Sequence, residues 1–172
     1  MQTALVGEGD AFVLKFGSAG NRIWATYLGG PSWEAGCGVA TNASNDIVIV
    51  GNCEGSGFPA TAGAFQTTSA GDYDAFVAKL TAAGSKIWAT YYGGSSDDGA
   101  RDVTIDAGGN IIVTGETESS DFPVTSGAFQ TWRYNNHILG DPYVFKLTGA
   151  GNQIWGSFYA PEGYNTRTSV GC

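Results

Sequence analysis

The chain has 172 residues, of which 27 are glycine, 13% are aromatic and only 14% are charged. This composition favours short strands joined by tight turns over long amphipathic helices, which need many charged residues on one face. The net charge of −8 argues against a nucleic-acid partner, which needs clustered cations. It also argues against docking on anionic lipid, and no apolar run reaches the roughly 20 residues of a membrane span, so direct membrane insertion is not expected.

The chain is built from repeats. Against itself at an offset of 64 residues it aligns without gaps: the sequence DAFV of residues 10–13 returns at 74–77, and IWATY of residues 23–27 returns at 87–91. A third copy begins near residue 130 and shifts to an offset of 67 at 141–147. Self-similarity at a fixed period of this size indicates a repeat architecture.

Four strands are predicted in each repeat unit. Residues 74–80 and 86–92 flank an Ala-Gly turn, and residues 101–105 and 111–115 flank a Gly-Gly turn, so each pair predicts a hairpin. Apolar residues occupy both alternating sets of the first hairpin, which is typical of a sheet covered on both sides. The pattern predicts an all-β partial β-propeller with four-stranded antiparallel blades, in about 2.7 repeats of 64–67 residues.

The recurring runs DAFV-x-KL, IW-x-TY-x-GG and NI-x-VTG resemble the bacterial β-propeller repeat family called SBBP. The resemblance covers essentially the whole chain and implies a multi-bladed propeller within a large secreted or surface-anchored bacterial protein. It brings no general catalytic residues with it. The chain departs from the family at residues 43–46, which replace a glycine turn, and at Pro142, which follows a three-residue insertion.

In the strand order of the family, the whole chain forms one propeller domain made of successive blades. We expect residues 1–35 to form the outer half of a first blade, 36–98 a second blade, 99–165 a third blade and 166–172 the start of a fourth. Closed propellers have at least roughly four blades, so this array cannot close alone, and its ends are expected to expose apolar faces. Flanking sequence, other copies or other subunits would complete the ring or assembly. Met1 is not followed by a secretory leader, so the protein is either intracellular or an excised piece. Because the array cannot close alone, we favour a piece of an extracellular or cell-surface protein.

Trp24, Trp88 and Trp155 occupy the same place in each repeat. A repeated aromatic residue could stack on sugars, as in propeller lectins. Large side chains at equivalent strand positions equally fill the space between blades, and we favour this second interpretation.

Two aromatic segments break the repeat and are the candidate binding residues. Trp33 stands in one connection, and Trp132, Arg133, Tyr134 and His137 surround the insertion in another. Departures from a repeat in loops on one face are typical sites of binding specificity, so these residues predict a glycan or peptide site. The alternative is that they cover a long loop or contact the next blade.

The remaining chemistry is sparse. Asp97, Asp98 and Asp121 are weak Ca²⁺ candidates because carboxylates on loops suit hard cations, but no D-x-D-x-D-G pattern accompanies them, and a solvated acidic rim is the alternative. We otherwise expect no cofactor. Cys37 and Cys53 lie at nearly matched positions of one hairpin, which predicts a disulfide in keeping with an extracellular location, unless both are packed thiols.

Three functions remain open on these residues. The leading one is a non-catalytic extracellular or cell-surface module that serves as a scaffold or as an adhesion or interaction unit. The second is a lectin-like propeller that binds a glycan or peptide. The third is part of a catalytic propeller, such as a glycosidase, with its active residues in other blades. The third ranks last because one histidine and no G-x-S-x-G motif leave neither an activated nucleophile nor an acid/base pair.

Overall fold

The computed structural model describes residues 1–134 and 140–159, which contain ten strands and no helix. In chain order the strands are β1 (Ala11–Phe16), β2 (Arg22–Leu28), β3 (Glu34–Thr41), β4 (Ile47–Glu54), β5 (Tyr73–Leu80), β6 (Lys86–Tyr92), β7 (Asp98–Ile105), β8 (Ile111–Thr117), β9 (Asp141–Leu147) and β10 (Gln153–Phe158). No helix among the described residues is long and apolar enough to cross a membrane. The predicted start of a fourth blade, together with His137 and Cys172, lies outside the described residues.

The strands form three antiparallel sheets that follow chain order. We call them the first sheet (β1–β2), the middle sheet (β3–β4–β5–β6) and the third sheet (β7–β8–β9–β10). Within each sheet, neighbouring strands are consecutive in the chain and pair antiparallel. The predicted all-β partial propeller with four-stranded antiparallel blades is therefore confirmed.

Tight turns fix the hairpin registers. The β5–β6 turn contains Gly84 at φ 83°, a left-handed conformation that glycine adopts without strain. The β3–β4 turn lacks such a glycine, and Asn45 takes the left-handed conformation there at φ 60°. Asn42 Oδ1 accepts hydrogen bonds from the backbone N–H groups of Ser44 and Asp46 at 3.0 and 2.8 Å. The departure from the repeat at this turn thus preserves the hairpin.

Two apolar clusters lie between the three sheets. The cluster between the middle and third sheets includes Val77, Tyr92 and Phe145, and the rings of Tyr92 and Phe145 stack with centroids 3.6 Å apart. The cluster between the first and middle sheets includes Val13 and Phe76. Both faces of the middle sheet are therefore buried against neighbours, as stacked propeller blades require.

The repeated tryptophans join one sheet to the next. Trp24 Nε1 donates a hydrogen bond to the carbonyl oxygen of Ala82, and Trp88 Nε1 donates one to that of Gly149, both at 3.2 Å. Each acceptor lies in the outer hairpin turn of the following sheet, so the packing interpretation is confirmed for these two residues. Trp155 occupies the equivalent position of β10.

The predicted Cys37–Cys53 disulfide is wrong. Both cysteines are free, Cys37 exposed and Cys53 buried. Cys53 pairs across the hairpin with Glu34, and Cys37 lies three residues further along β3 at a bulge. At about 3.3 Å per residue this separates the two Cα atoms by more than the roughly 7 Å that a disulfide spans. Instead the Cys53 thiol donates to the carbonyl oxygen of Asp74 at 3.3 Å.

Candidate functional site

All long connections leave the sheets at one end, which we call the loop face. The strands β3, β5, β7 and β9 begin there, and the strands before them end there, because neighbours are antiparallel. At the opposite end every described hairpin turn is only five residues long. Trp33 precedes β3, and Trp132 to Tyr134 lie between β8 and β9, so both predicted binding segments are on the loop face.

Trp33 is partly exposed and packs edge-on against a second aromatic residue. Its side chain is 39% exposed, and its ring lies 6.3 Å from that of Tyr73 with the two planes 77° apart. The Trp33 carbonyl oxygen accepts a hydrogen bond from Glu54 N at 2.8 Å. The backbone of Asp97 makes the same contact with Glu118 in the next blade, so Trp33 is held at a fixed repeat position while its ring faces solvent.

In the second segment, the ring of Trp132 is exposed, whereas the guanidinium of Arg133 is bound to other residues of the chain. Trp132 is 53% exposed and meets Tyr134 edge-on at 4.5 Å. Arg133 Nε donates to Asp141 Oδ2 at 2.8 Å, and a second guanidinium nitrogen donates to the Glu118 carbonyl oxygen. Arg133 therefore anchors the loop, whereas Trp132 is available to a ligand.

An acidic cleft opens beside Trp33, between the middle and third sheets. Its volume is about 260 Å³, and it is lined by Asn52, Tyr73, Asp97, Asp98, Gly99, Arg101, Glu116 and Glu118. Arg101 donates from two nitrogens to one oxygen of Glu116, at 2.9 and 2.8 Å. With one guanidinium among four carboxylates and the ring of Tyr73 at the rim, the cleft suits a cationic or hydroxyl-rich ligand better than an anion.

The structure does not join Asp97, Asp98 and Asp121 into one metal site. Asp98 is buried and accepts hydrogen bonds from Gly94 N at 2.6 Å and from Ser119 Oγ at 2.8 Å. Asp97 and Asp121 are exposed. Asp121 Oδ1 accepts hydrogen bonds from the backbone N–H and the hydroxyl of Ser95. In the described part of the chain, no group of three or more histidine, cysteine, aspartate or glutamate side chains is placed to hold a metal ion.

A set of buried carboxylates was missed at the sequence level. Asp74 and Asp98 approach each other between the middle and third sheets, and Asp10 and Glu34 do so between the first and middle sheets. Burial raises the pKa of Asp98 to about 6 and also raises the pKa of Asp74 and Glu34. The sequence signal that could have revealed these carboxylates was an aspartate that recurs at the same repeat position, as Asp10, Asp74 and Asp141, in a chain with few charged residues.

Comparison with known proteins agrees with the architecture. Residues 87–123 match the SBBP family, described as a beta-propeller repeat, which confirms the resemblance. The chain is similar to an uncharacterized WD repeat-containing protein of Acanthamoeba polyphaga mimivirus, with 24% identity over 115 residues that cover 64% of this chain and 8% of that protein. It is also similar to the regulatory protein FlaEY of Caulobacter vibrioides, with 29% identity over 122 residues that cover 70% of this chain and 13% of that protein. The chain thus spans about a tenth of the length of these relatives.

Removing the Arg133 guanidinium tests its anchoring role. Arg133→Gln takes the cation away from a fully buried carboxylate, that of Asp141, and we expect a loss of about 3–5 kcal/mol in the free energy of unfolding. Arg101→Gln is the matched control, because the Arg101–Glu116 pair is more exposed and should contribute only about 0–1 kcal/mol. Urea unfolding of both variants measures the difference. Equal losses would contradict a structural role for Arg133.

Proposed function

We propose that this chain, which carries the SBBP β-propeller repeat, is a non-catalytic part of a larger propeller that acts as a scaffold and interaction module in an extracellular or cell-surface protein. The observation that carries the proposal is that both ends of the array expose surfaces whose counterparts inside the array are buried. The two internal junctions between sheets serve as the reference, because they show which contacts are missing at the exposed ends.

At the first sheet the outward face is apolar. Phe12, Leu14 and Phe16 are 65%, 44% and 55% exposed. The residues one repeat later include Phe76 and Leu80, which are 0% and 2% exposed because the first sheet covers them. A face of this kind in the first sheet is therefore suited to a preceding blade.

At the third sheet the outward face is also apolar. A groove of about 540 Å³ there is lined by residues that include Phe129, Val144, Trp155 and Tyr159. Phe129 and Tyr159 are 82% and 56% exposed. No described residue accepts a hydrogen bond from the indole of Trp155, although Trp24 and Trp88 both donate to the turn of a following sheet.

The two ends of the array carry the two halves of the contact between a tryptophan ring and the outer hairpin turn of the following sheet. Gly84 and Gly151 lie in outer hairpin turns, and a Cβ at either position would sit 3.2 Å from the ring of Trp24 or Trp88, respectively. Gly20 has the same backbone conformation, at φ 79°, but no heavy atom of the described residues lies within 4 Å of its Cβ position. Among the described residues, the first sheet thus presents a turn that no tryptophan covers, and the third sheet presents a tryptophan that contacts no following turn.

These surfaces support a role in which further blades of the same kind pack at each end. The blades come from the same longer protein or from another copy. The names of the two relatives, a WD repeat-containing protein and a regulatory protein, are in keeping with an interaction module. The extracellular location rests on the family resemblance alone, because the predicted disulfide is not formed. Asp74 and Asp98 accept hydrogen bonds from neighbouring loop residues, which supports a structural rather than a catalytic use of these carboxylates.

A second candidate function is recognition of a glycan or peptide at the loop face. The observation that favours it is the exposed pair of rings, Trp33 and Tyr73, beside the acidic cleft. Exposed aromatic rings next to hydrogen-bonding groups are suited to stacking on sugars or peptide side chains.

Light scattering over a range of protein concentrations tests the scaffold proposal. We expect the chain to associate as concentration rises, and Phe12→Asp to reduce that association because it places a charge on the outward apolar face. Trp33→Ala is the matched control on the loop face and should associate like the wild type. A wild-type chain that keeps the mass of a single copy at all concentrations would contradict the proposal.

Glycan and peptide arrays separate the second candidate from the first. A scaffold gives no saturable binding on either array. Saturable binding that is lost in Trp33→Ala but kept in Phe12→Asp would establish recognition at the loop face. Binding that survives Trp33→Ala would place the ligand elsewhere and overturn this candidate site.

A further inference from the structure

Two buried carboxylates meet at the junction of the middle and third sheets. A Cβ built on Gly93 would lie 2.1 Å from Asp74 Oδ1 and 2.7 Å from Asp98 Oδ2. The two oxygens are therefore at most about 4.8 Å apart. Asp74 belongs to β5 and Asp98 begins β7, so this pair spans two blades. The absence of a side chain at Gly93 is what leaves room for both carboxylates.

The same arrangement recurs one repeat earlier. A Cβ on Gly29 would lie 2.5 Å from Glu34 Oε2 and 2.6 Å from Asp10 Oδ1, which places these oxygens at most about 5.1 Å apart. Glu34 begins β3 of the middle sheet, and Asp10 directly precedes β1 of the first sheet. We call Asp10 with Glu34, and Asp74 with Asp98, the two carboxylate pairs.

Hydrogen bonds reach only some of the oxygens in the two pairs. Asp98 Oδ2 accepts from Gly94 N and Ser119 Oγ, and Asp74 Oδ2 accepts from Ala70 N. Glu34 is 2% exposed, and neither of its oxygens has a partner at full hydrogen-bond geometry, although the N–H of Gly30 lies nearby. Asp74 Oδ1 and Asp98 Oδ1 are likewise buried without a partner. No lysine or arginine among the described residues forms an ion pair with either carboxylate pair. Two buried, ionised carboxylates this close are strongly unfavourable unless a cation or a shared proton neutralises them.

At the next equivalent position the protein supplies that positive charge itself. Asp141 is the third copy of the recurring aspartate, and the Arg133 guanidinium lies 2.8 Å from its Oδ2. In sequence register, the residue that corresponds to Asp98 is Asn165, which lies outside the described residues. The recurring aspartate is thus paired with a cation at Asp141, whereas Asp10 and Asp74 each face a second carboxylate.

We propose that each carboxylate pair binds a hard divalent cation of the Ca²⁺ type between adjacent blades. Oxygen ligands of Ca²⁺ lie about 2.3–2.6 Å from the ion, so two ligands of one ion are at most roughly 5 Å apart, and the upper limits for both pairs are close to this value. Backbone carbonyl groups of the surrounding loops and water would supply the remaining ligands. Mg²⁺ is less suitable because it requires shorter bonds and near-ideal octahedral geometry. Of the aspartates predicted from sequence, only Asp98 takes part.

The ion would act as a clamp between blades. Each pair takes one carboxylate from each of two neighbouring sheets, so a bound cation stabilises the junction only when both sheets are folded and packed. Ligand that binds the native state alone raises the stability of the fold in proportion to the logarithm of its concentration. This function is independent of the role proposed for the exposed ends.

Calcium titration of the complete, chelator-treated chain tests the proposal. We expect calorimetry to give two ions per chain and the melting temperature to rise by several degrees at saturating Ca²⁺, with a smaller rise for Mg²⁺. A chain with no binding heat and an unchanged melting temperature would overturn the proposal.

Single amide substitutions locate the ions. Asp98→Asn and Glu34→Gln each remove one carboxylate from a different pair, so each should reduce the number of bound ions from two to one. The matched control is Asp97→Asn, an exposed neighbour of Asp98, which should keep both. If Asp98→Asn does not fold, Glu34→Gln carries the test alone. Substitutions that raise the melting temperature equally with and without Ca²⁺ would contradict the proposal and show a pair that shares a proton.

Discussion

The structure depends on the burial of both faces of the middle sheet. Val77 and Tyr92 face the third sheet, and Phe76 and Tyr91 face the first, so no side of β5 or β6 is left for solvent. A sheet of this kind is stable only between two neighbours, and each neighbour has the same requirement on its outer face. The uncovered surfaces at the two ends of the array follow directly, and they connect the packing of one sheet to the proposed role in a larger assembly.

Polar groups at the junctions fit into this apolar frame in two ways. The tryptophan contacts satisfy turn carbonyls of the next sheet, and the carboxylates lie at the opposite, loop-bearing end of the same junctions. Arg133 shows how the third copy of the repeat neutralises its buried aspartate, Asp141, with a side chain of the preceding loop. The loop face thus combines the rigid backbone positions of the repeat with side chains, such as those of Trp33 and Trp132, that differ between blades and remain exposed.

Much of the fold could be predicted from sequence, because a 64-residue period with two hairpins per unit leaves few alternatives to stacked blades. Repetition also identified the packing role of Trp24 and Trp88. The cysteine prediction was wrong because the β-bulge at Cys37 and the register of Glu34 with Cys53 depend on local pairing that spacing does not fix. The carboxylate pairs were missed because their members are 24 residues apart in sequence and meet only where two sheets pack.

Hydrogen–deuterium exchange resolved by strand is the most direct test of the claim that each sheet needs a neighbour on both faces. The account predicts strong protection of β5 and β6 at every protein concentration. It predicts weak protection of β1 and β2 in dilute solution, increasing as the outward face of the first sheet becomes covered. Protection of β1 and β2 equal to that of β5 and β6 in the most dilute sample would contradict it.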